Sequence, residues 1–374
     1  MNYKVLKSIF ATHINFLFTI CSLCLLSSAH GQLKKDYSAI NWKVDAFVIK
    51  EMKEKHIPGL SVAVMKGGKL IYSKAFGYSN LEHKVPVKVN TVFSIMSITK
   101  SFTAIAVMML VERGKISLDD SIHQHLAGLP DTWKGVTIRH LLNHTSGIPG
   151  FASQDKIMCP LGKQFREYVR GDAWKEVGCL PLLFPSGEQW SYGDTGFYLL
   201  GMLIEKIAGL KYEDFVHDNI FLPLKMTNSR LISYTDLIPN RAEGYALTNG
   251  KYSLAPRSEL DEFSNAGIVS TAIDMSQMHF AFTSEKLLKK STWTLMWAKT
   301  VLKNDSTANY GFGLGSTPFQ GKKRIGHYGG GGLGFASGLN YFPEEDITVA
   351  VLSNVSHLEK SIGTLSNTIA SFYF

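Results

Sequence analysis

Cysteine is scarce in this chain: four residues, at positions 21, 24, 159 and 179. Charged residues are modest in number, at 19%. The 39 lysines and arginines form no dense cluster, which leaves nucleic-acid binding without support. There is no internal repeat and no low-complexity linker. With 45% hydrophobic residues over 374 positions, the composition is neither disordered nor fibrous. That length suits one large domain or two intimate ones. Two sequence signatures are also missing. There is no G-x-S-x-G, so an α/β-hydrolase nucleophile elbow has no basis. His140 and His144 have the spacing of a zinc helix, but Leu141 stands where a zinc protease needs Glu, and no third ligand is evident. No metal and no organic cofactor is expected.

Long apolar runs are equally rare, with one exception at the start. Lys4 and Lys7 precede an apolar run from about Ile14 to Leu26, followed by small residues ending in Ala29-His30-Gly31. Basic start, apolar middle and small end form the order of a secretory signal, with cleavage expected near Gln32. An uncleaved anchor would need roughly 20 apolar residues to span a bilayer. Neither Cys21 nor Cys24 is placed for lipid attachment. Residues 1–31 hold two lysines and no acid, so their loss takes the formal net charge from +8 to +6. The remaining surface is mildly basic, suited to anionic cell-wall polymers or membrane surfaces. Only Cys159 and Cys179 remain, either as a pair or as buried thiols. A bridge between them would close a loop of about 20 residues and contribute roughly 3 kcal/mol in the chain-entropy model.

Strand patterns occupy both ends. Leu60–Met65 and about 69–77 flank the turn Lys66-Gly67-Gly68, and "RIGHYGG", "FASGLNYF" and "ITVAVLSN" lie near the C-terminus. Helical patterns fill the middle: Ile98 to Arg113, stopped by Gly114, and Thr195 to Lys206, stopped by Gly209. "TIRHLLNHTSG" reads as a short helix into a turn, and the tail from His357 as a closing amphipathic helix. The economical architecture is an α/β (α+β) fold. One antiparallel sheet is built from the two ends, about 40–95 and 265–374, with a helical subdomain of about 96–264 inserted.

The segment "FSIMSITKSFTA" holds Ser94, Ser97 and Ser101 within eight residues. A serine hydroxyl is hardly ionised at neutral pH and needs a partner to become a nucleophile. Only Ser97 has a lysine three residues on, Lys100, one helical turn away on the same face. A serine in a first helical turn also sits where free N–H groups and the helix dipole favour an oxyanion. Ser153–Lys156 repeats the spacing, but in a loop-like stretch. In "WSYGDTGFYLLG", Tyr192 and Asp194 lie in a polar turn before an apolar helix. A tyrosine beside an ammonium has a lowered pKa and can act as a base. "GHYGGGGLGF" couples His327 to a run of glycines where another backbone can approach closely.

With these motifs in order along the chain, the sequence resembles the serine β-lactamase and penicillin-binding fold, in its class C and beta-lactamase-related branch. "TIRHLLNHTSGIP", "NAGIVSTAIDM", "YGFGLG" and "VAVLSN" match further segments, so the resemblance runs from about Ile40 to Asn354. The resemblance implies an acyl-enzyme on Ser97, with Lys100 and Tyr192 handling the proton. It implies an oxyanion hole from the N–H groups of Ser97 and Gly330, and a His327 that polarises Tyr192 and orients substrate with a pH-dependent charge. Asp194 departs from the usual asparagine; a carboxylate there is expected to raise the lysine pKa and to disfavour β-lactam hydrolysis. The segment carrying Cys159, Cys179, Phe151, Phe165, Tyr168 and Trp174 is a candidate pocket wall, the alternative being a packed surface excursion. The expectation is a secreted or periplasmic serine hydrolase acting on a small ester or a D-amino-acid-containing amide. The alternative is a silent relative that binds cell-wall peptide as a sensor or scaffold.

Overall fold

The chain doubles back so that its early and late strands form one sheet. A computed structural model describes residues 36–151, 172–232, 237–256, 263–359 and 361–374. The expected leader, the cleavage point near Gln32, Cys159, Phe165 and Tyr168 lie outside the described residues. Ile40–Phe374 forms one compact unit; the residues before it form another, of which only 36–39 are described.

Six strands run antiparallel in the order Ile325–Gly329, Ala336–Phe342, Ile347–Ser353, Gly59–Lys66, Lys69–Asn80, Val85–Pro86. The hairpin joining Gly59–Lys66 to Lys69–Asn80 turns on Gly67 and Gly68, with φ of 55° and 70°. Two successive left-handed residues are what a type I′ hairpin turn requires. In the middle of the sheet Leu60 pairs with Ser353 and Val62 with Val351. Gly59–Lys66, Ala336–Phe342 and Ile347–Ser353 are buried along nearly their whole length, so both faces are covered. Helix Ile362–Ser371 packs on Ala336–Phe342 and Ile347–Ser353, and helix Ala272–Ser276 on Gly59–Lys66 and Ile347–Ser353.

Between the two halves of the sheet the chain is mostly helical. Helix Thr99–Glu112 is buried at every residue from Thr99 to Leu110, as befits a helix with no polar stripe. It packs on helix Thr195–Ala208. One apolar cluster joins helices and sheet through Ile98, Phe102, Phe197, Leu200, Leu339 and Leu352. Each such side chain contributes about 1.5–3 kcal/mol by leaving water. Helix Ser38–Glu54 has no counterpart in the sequence reading. Of its 17 residues only Val44 and Val48 are buried, too thin an apolar stripe to stand out. Among the described residues, no helix is long and apolar enough to cross a membrane.

Candidate active site

The three serines of "FSIMSITKSFTA" have three different surroundings. Ser94 ends the short strand Phe93–Ser94, pinned on Ile268–Ser270, and its hydroxyl donates to Sδ of Met96 at 3.2 Å. Ser101 donates to the carbonyl of Gly313 at 2.8 Å. Ser97 is half-buried and lines a cavity of about 890 Å³. Met96, just before it, is held at φ 49°, a left-handed conformation that costs a side-chain-bearing residue energy and re-aims the next one.

Lys100 is completely buried, and each of its three N–H donors has a partner. They reach Ser97 Oγ at 3.1 Å, Asp194 Oδ1 at 2.7 Å and the carbonyl of Asn265 at 3.0 Å. Burial pulls the Lys100 pKa below the ordinary lysine range; the Asp194 carboxylate opposes this without cancelling it. Asp194 does act in the expected direction, raising the Lys100 pKa, but desolvation is the larger effect and leaves it lowered overall.

Asp194 sits at the N-cap position of helix Thr195–Ala208 but makes no cap bond, its carboxylate turning to Lys100 instead. Tyr192 is 41% exposed as a residue, yet its hydroxyl end is enclosed and hydrogen-bonded to Ser97. Its pKa is pushed well above the ordinary tyrosine value, by burial first and by Asp194 next. This reverses the expected depression, because burial of the phenol, reinforced by the Asp194 carboxylate, disfavours the phenolate. The turn bearing Tyr192 is clamped by His144. The His144 carbonyl accepts from Ser191 N–H at 3.0 Å, and its Nδ1 accepts from Gly193 N–H at 3.3 Å. The His144 ring lies 4.4 Å from that of Tyr192, its Nε2 has no hydrogen-bond partner among the described residues, and burial holds it neutral. His140 Nδ1 accepts from the Thr137 N–H at 3.2 Å, capping its own helix.

His327 lies on the edge strand Ile325–Gly329 and lines the same cavity as Ser97, Tyr192 and Gly330. Its bonds run elsewhere than expected. Nδ1–H donates to the carbonyl of Tyr328 at 2.6 Å, and Nε2 accepts from the hydroxyl of Tyr310 at 2.9 Å. Its ring stays 6.1 Å from that of Tyr192. Burial, then the Lys100 charge, pushes its pKa down to about 3, so its charge does not change between pH 5 and 8.

Three neighbours were given no role in the sequence reading, although Tyr310 and Asn265 open the quoted segments "YGFGLG" and "NAGIVSTAIDM". Tyr310 is one residue before the first glycine of "GFGLG" and looks like any core tyrosine. Asn265 contributes a carbonyl, which no side-chain motif advertises. Glu359 follows the last strand and packs so tightly on Gly330 that a Cβ there would come within 2.4 Å of Glu359 Cγ. Cys179 is disulfide-bonded; Cys159, its expected partner, lies outside the described residues.

A sheet closed from both chain ends beside a helical insertion, with a serine and lysine one turn apart at their junction, is the β-lactamase/transpeptidase-like fold. The chain belongs to the beta-lactamase family, whose sequence model matches residues 44–370, a family of serine hydrolases. It is 31% identical over 322 residues to Penicillin-binding protein 4* of Bacillus subtilis (strain 168), covering 80% of this chain and 69% of that one. Among solved structures it is similar to the octameric penicillin-binding protein homologue from Pyrococcus abyssi. That match has 30% identity and a TM-score of 0.73, over 88% of this chain and 76% of that one. A D-amino acid amidase from Ochrobactrum anthropi SV3 shares the fold at 22% identity and TM-score 0.73, over 90% and 98% of the two chains.

Proposed function

We propose that the protein is an exported serine acyl hydrolase that works through an acyl-enzyme on Ser97. The observation that carries this is the convergence of the Lys100 amine and the Tyr192 hydroxyl on one serine at the floor of the cavity. In its amine form, Lys100 has a lone pair for the Ser97 proton; Tyr192, held protonated, is the acid. Ser97 Oγ bonds to the substrate carbonyl carbon while its proton passes to Lys100. Negative charge on the carbonyl oxygen is met by the N–H groups of Ser97 and Gly330. The bond to the leaving group then breaks as Tyr192 protonates it and regains a proton from Lys100. Water reverses the path and releases the acid.

The substrate is a small ester or a D-amino-acid-containing amide or peptide, with β-lactams disfavoured by Asp194 in place of the usual asparagine. Relatives named as penicillin-binding protein and D-amino acid amidase support that range, and the signal-like N-terminus supports export. The second reading, a non-catalytic binder of cell-wall peptide, draws on Asp194 alone. A fluorophosphonate is expected to label the wild type strongly and a fluorescent penicillin only weakly, and neither is expected to label Ser97→Ala. Turnover is expected to fall at least about a thousandfold in that variant. No labelling by either probe, with no turnover of p-nitrophenyl esters or D-alanyl peptides, would sink the enzyme reading.

A further inference from the structure

Tyr310 stands within the aromatic wall of the cavity. Its ring centroid lies 4.9 Å from His144, 5.9 Å from Trp190, 6.4 Å from Tyr192 and 5.7 Å from His327. A neutral imidazole has one donor and one acceptor. In His327 the donor goes to the carbonyl of Tyr328 and the acceptor receives the hydroxyl of Tyr310. The ring therefore borders the cavity with no polar atom to offer a substrate.

The charges around His327 are also accounted for. Lys100 is committed to Ser97, Asp194 and Asn265. Arg324, immediately before that strand, donates from Nε to the carbonyl of Thr317 at 2.9 Å and from Nη1 to Asn340 Oδ1 at 2.8 Å, and lies over the Tyr328 ring. Asp194 and Tyr192 face it from the turn before helix Thr195–Ala208, and Glu188 and Glu359 line the cavity. Among the described residues, then, the cations at the cavity are engaged by the protein, while carboxylates stand on its lining.

We propose that Tyr310 is a positioning residue that sets specificity: by capping Nε2 of His327 it turns that ring into a wall, so the cavity takes uncharged acyl donors and turns carboxylate-bearing ones away. This rests on the acyl-hydrolase reading above. A carboxylate entering the cavity loses water and gains no donor from His327, whereas a neutral ester incurs no such cost. Removing the Tyr310 hydroxyl frees the Nε2 lone pair. The imidazole can then take a proton as the pH falls, against burial first and the charges of Lys100 and Arg324 next, and becomes a donor for an anion.

The test uses a matched pair, p-nitrophenyl pentanoate and the p-nitrophenyl monoester of glutaric acid, at pH 5.5 and pH 8. The wild type is expected to favour the neutral ester in kcat/KM by about tenfold or more at both pH values. In Tyr310→Phe the preference is expected to shrink about threefold or more at pH 5.5, through KM for the glutarate ester, and to stay unchanged at pH 8. Nitrogen NMR of histidine-labelled protein, with His327→Gln to assign the signal, gives a readout independent of turnover. Wild-type His327 is expected to keep its Nδ1–H tautomer without titrating from pH 5 to 8, and to titrate in Tyr310→Phe. Equal or better use of the glutarate ester by the wild type overturns the proposal, as does a preference in Tyr310→Phe that ignores pH. Should that variant fail to fold, the wild-type spectrum decides: an Nε2–H tautomer, or a titration in that range, refutes the cap. If the wild type turns over neither ester, the acyl-hydrolase reading fails, and the cap is still judged by the spectrum.

Discussion

Asp194 and Lys100 form an ion pair with unequal exposure: the lysine side chain has none, while the carboxylate keeps 23%. Burial alone favours the neutral amine, and Asp194 supplies the attraction that favours the ammonium. Replacing the carboxylate by an amide removes that attraction while keeping an oxygen to accept from Lys100. The Lys100 pKa then falls further, and the acid limb of kcat/KM in Asp194→Asn is expected to shift to lower pH. A pH profile of both proteins on one ester checks this; an unmoved or alkaline-shifted limb counts against Lys100 as the proton acceptor. The same variant is expected to gain acylation by β-lactams, read by fluorescent penicillin labelling. Ser97 and Lys100 are legible in the sequence because a spacing of three on a helix is a statement about geometry. Tyr310 and Asn265 are not, since they reach the site through a distant hydroxyl and a main-chain carbonyl that local pattern does not encode. The pKa directions of Tyr192 and Lys100 were also hidden, because they depend on how deeply each group is enclosed.

The serine helix is held in place by the segment that contains "YGFGLG". Ser101 donates to the Gly313 carbonyl, and Gly313 itself adopts φ 67° against the start of the helix. A Cβ at Gly313 would come within 2.5 Å of Ala104 Cβ and 2.9 Å of the Lys100 carbonyl. Gly313→Ala therefore combines an unfavourable backbone conformation with a steric clash. A loss of about 2 kcal/mol or more is expected, seen as a lower urea midpoint. Because the clash falls on the turn that carries Lys100, kcat is expected to drop in the residual folded fraction as well. An unchanged midpoint would show that the two segments have slack between them. The elements most legible in the sequence were those with a full apolar pattern and a glycine stop, such as Thr99–Glu112 and Thr195–Ala208. Helix Ser38–Glu54 lay below that threshold because it lends the core only two valines along its length.

Across the whole molecule, acid is expected to weaken the fold in a defined window. His144 and His327 are buried and neutral in the folded state, His327 with its pKa at about 3, whereas an unfolded histidine titrates near 6.5. Below that value the unfolded chain binds more protons than the native one. The stabilisation is full above pH 6.5 and is lost as the pH falls toward 3. For His327 the loss at pH 5 is on the order of 2 kcal/mol. Urea midpoints at pH 7 and pH 5 measure it, and a His327→Gln variant is expected to show a shallower decline. The sheet adds a constraint of another kind. Strand Gly59–Lys66 finds one neighbour three residues away in the hairpin, but its other neighbour is Ile347–Ser353, and the hydroxyl of Ser353 bonds to the carbonyl of Gly59 across 294 residues. While the chain is being synthesised, that first strand waits, one edge open, until Ile347–Ser353 has left the ribosome. Completion of the sheet is thus deferred until the late strand arrives, which leaves the unfinished chain open to a chaperone for the whole of that interval.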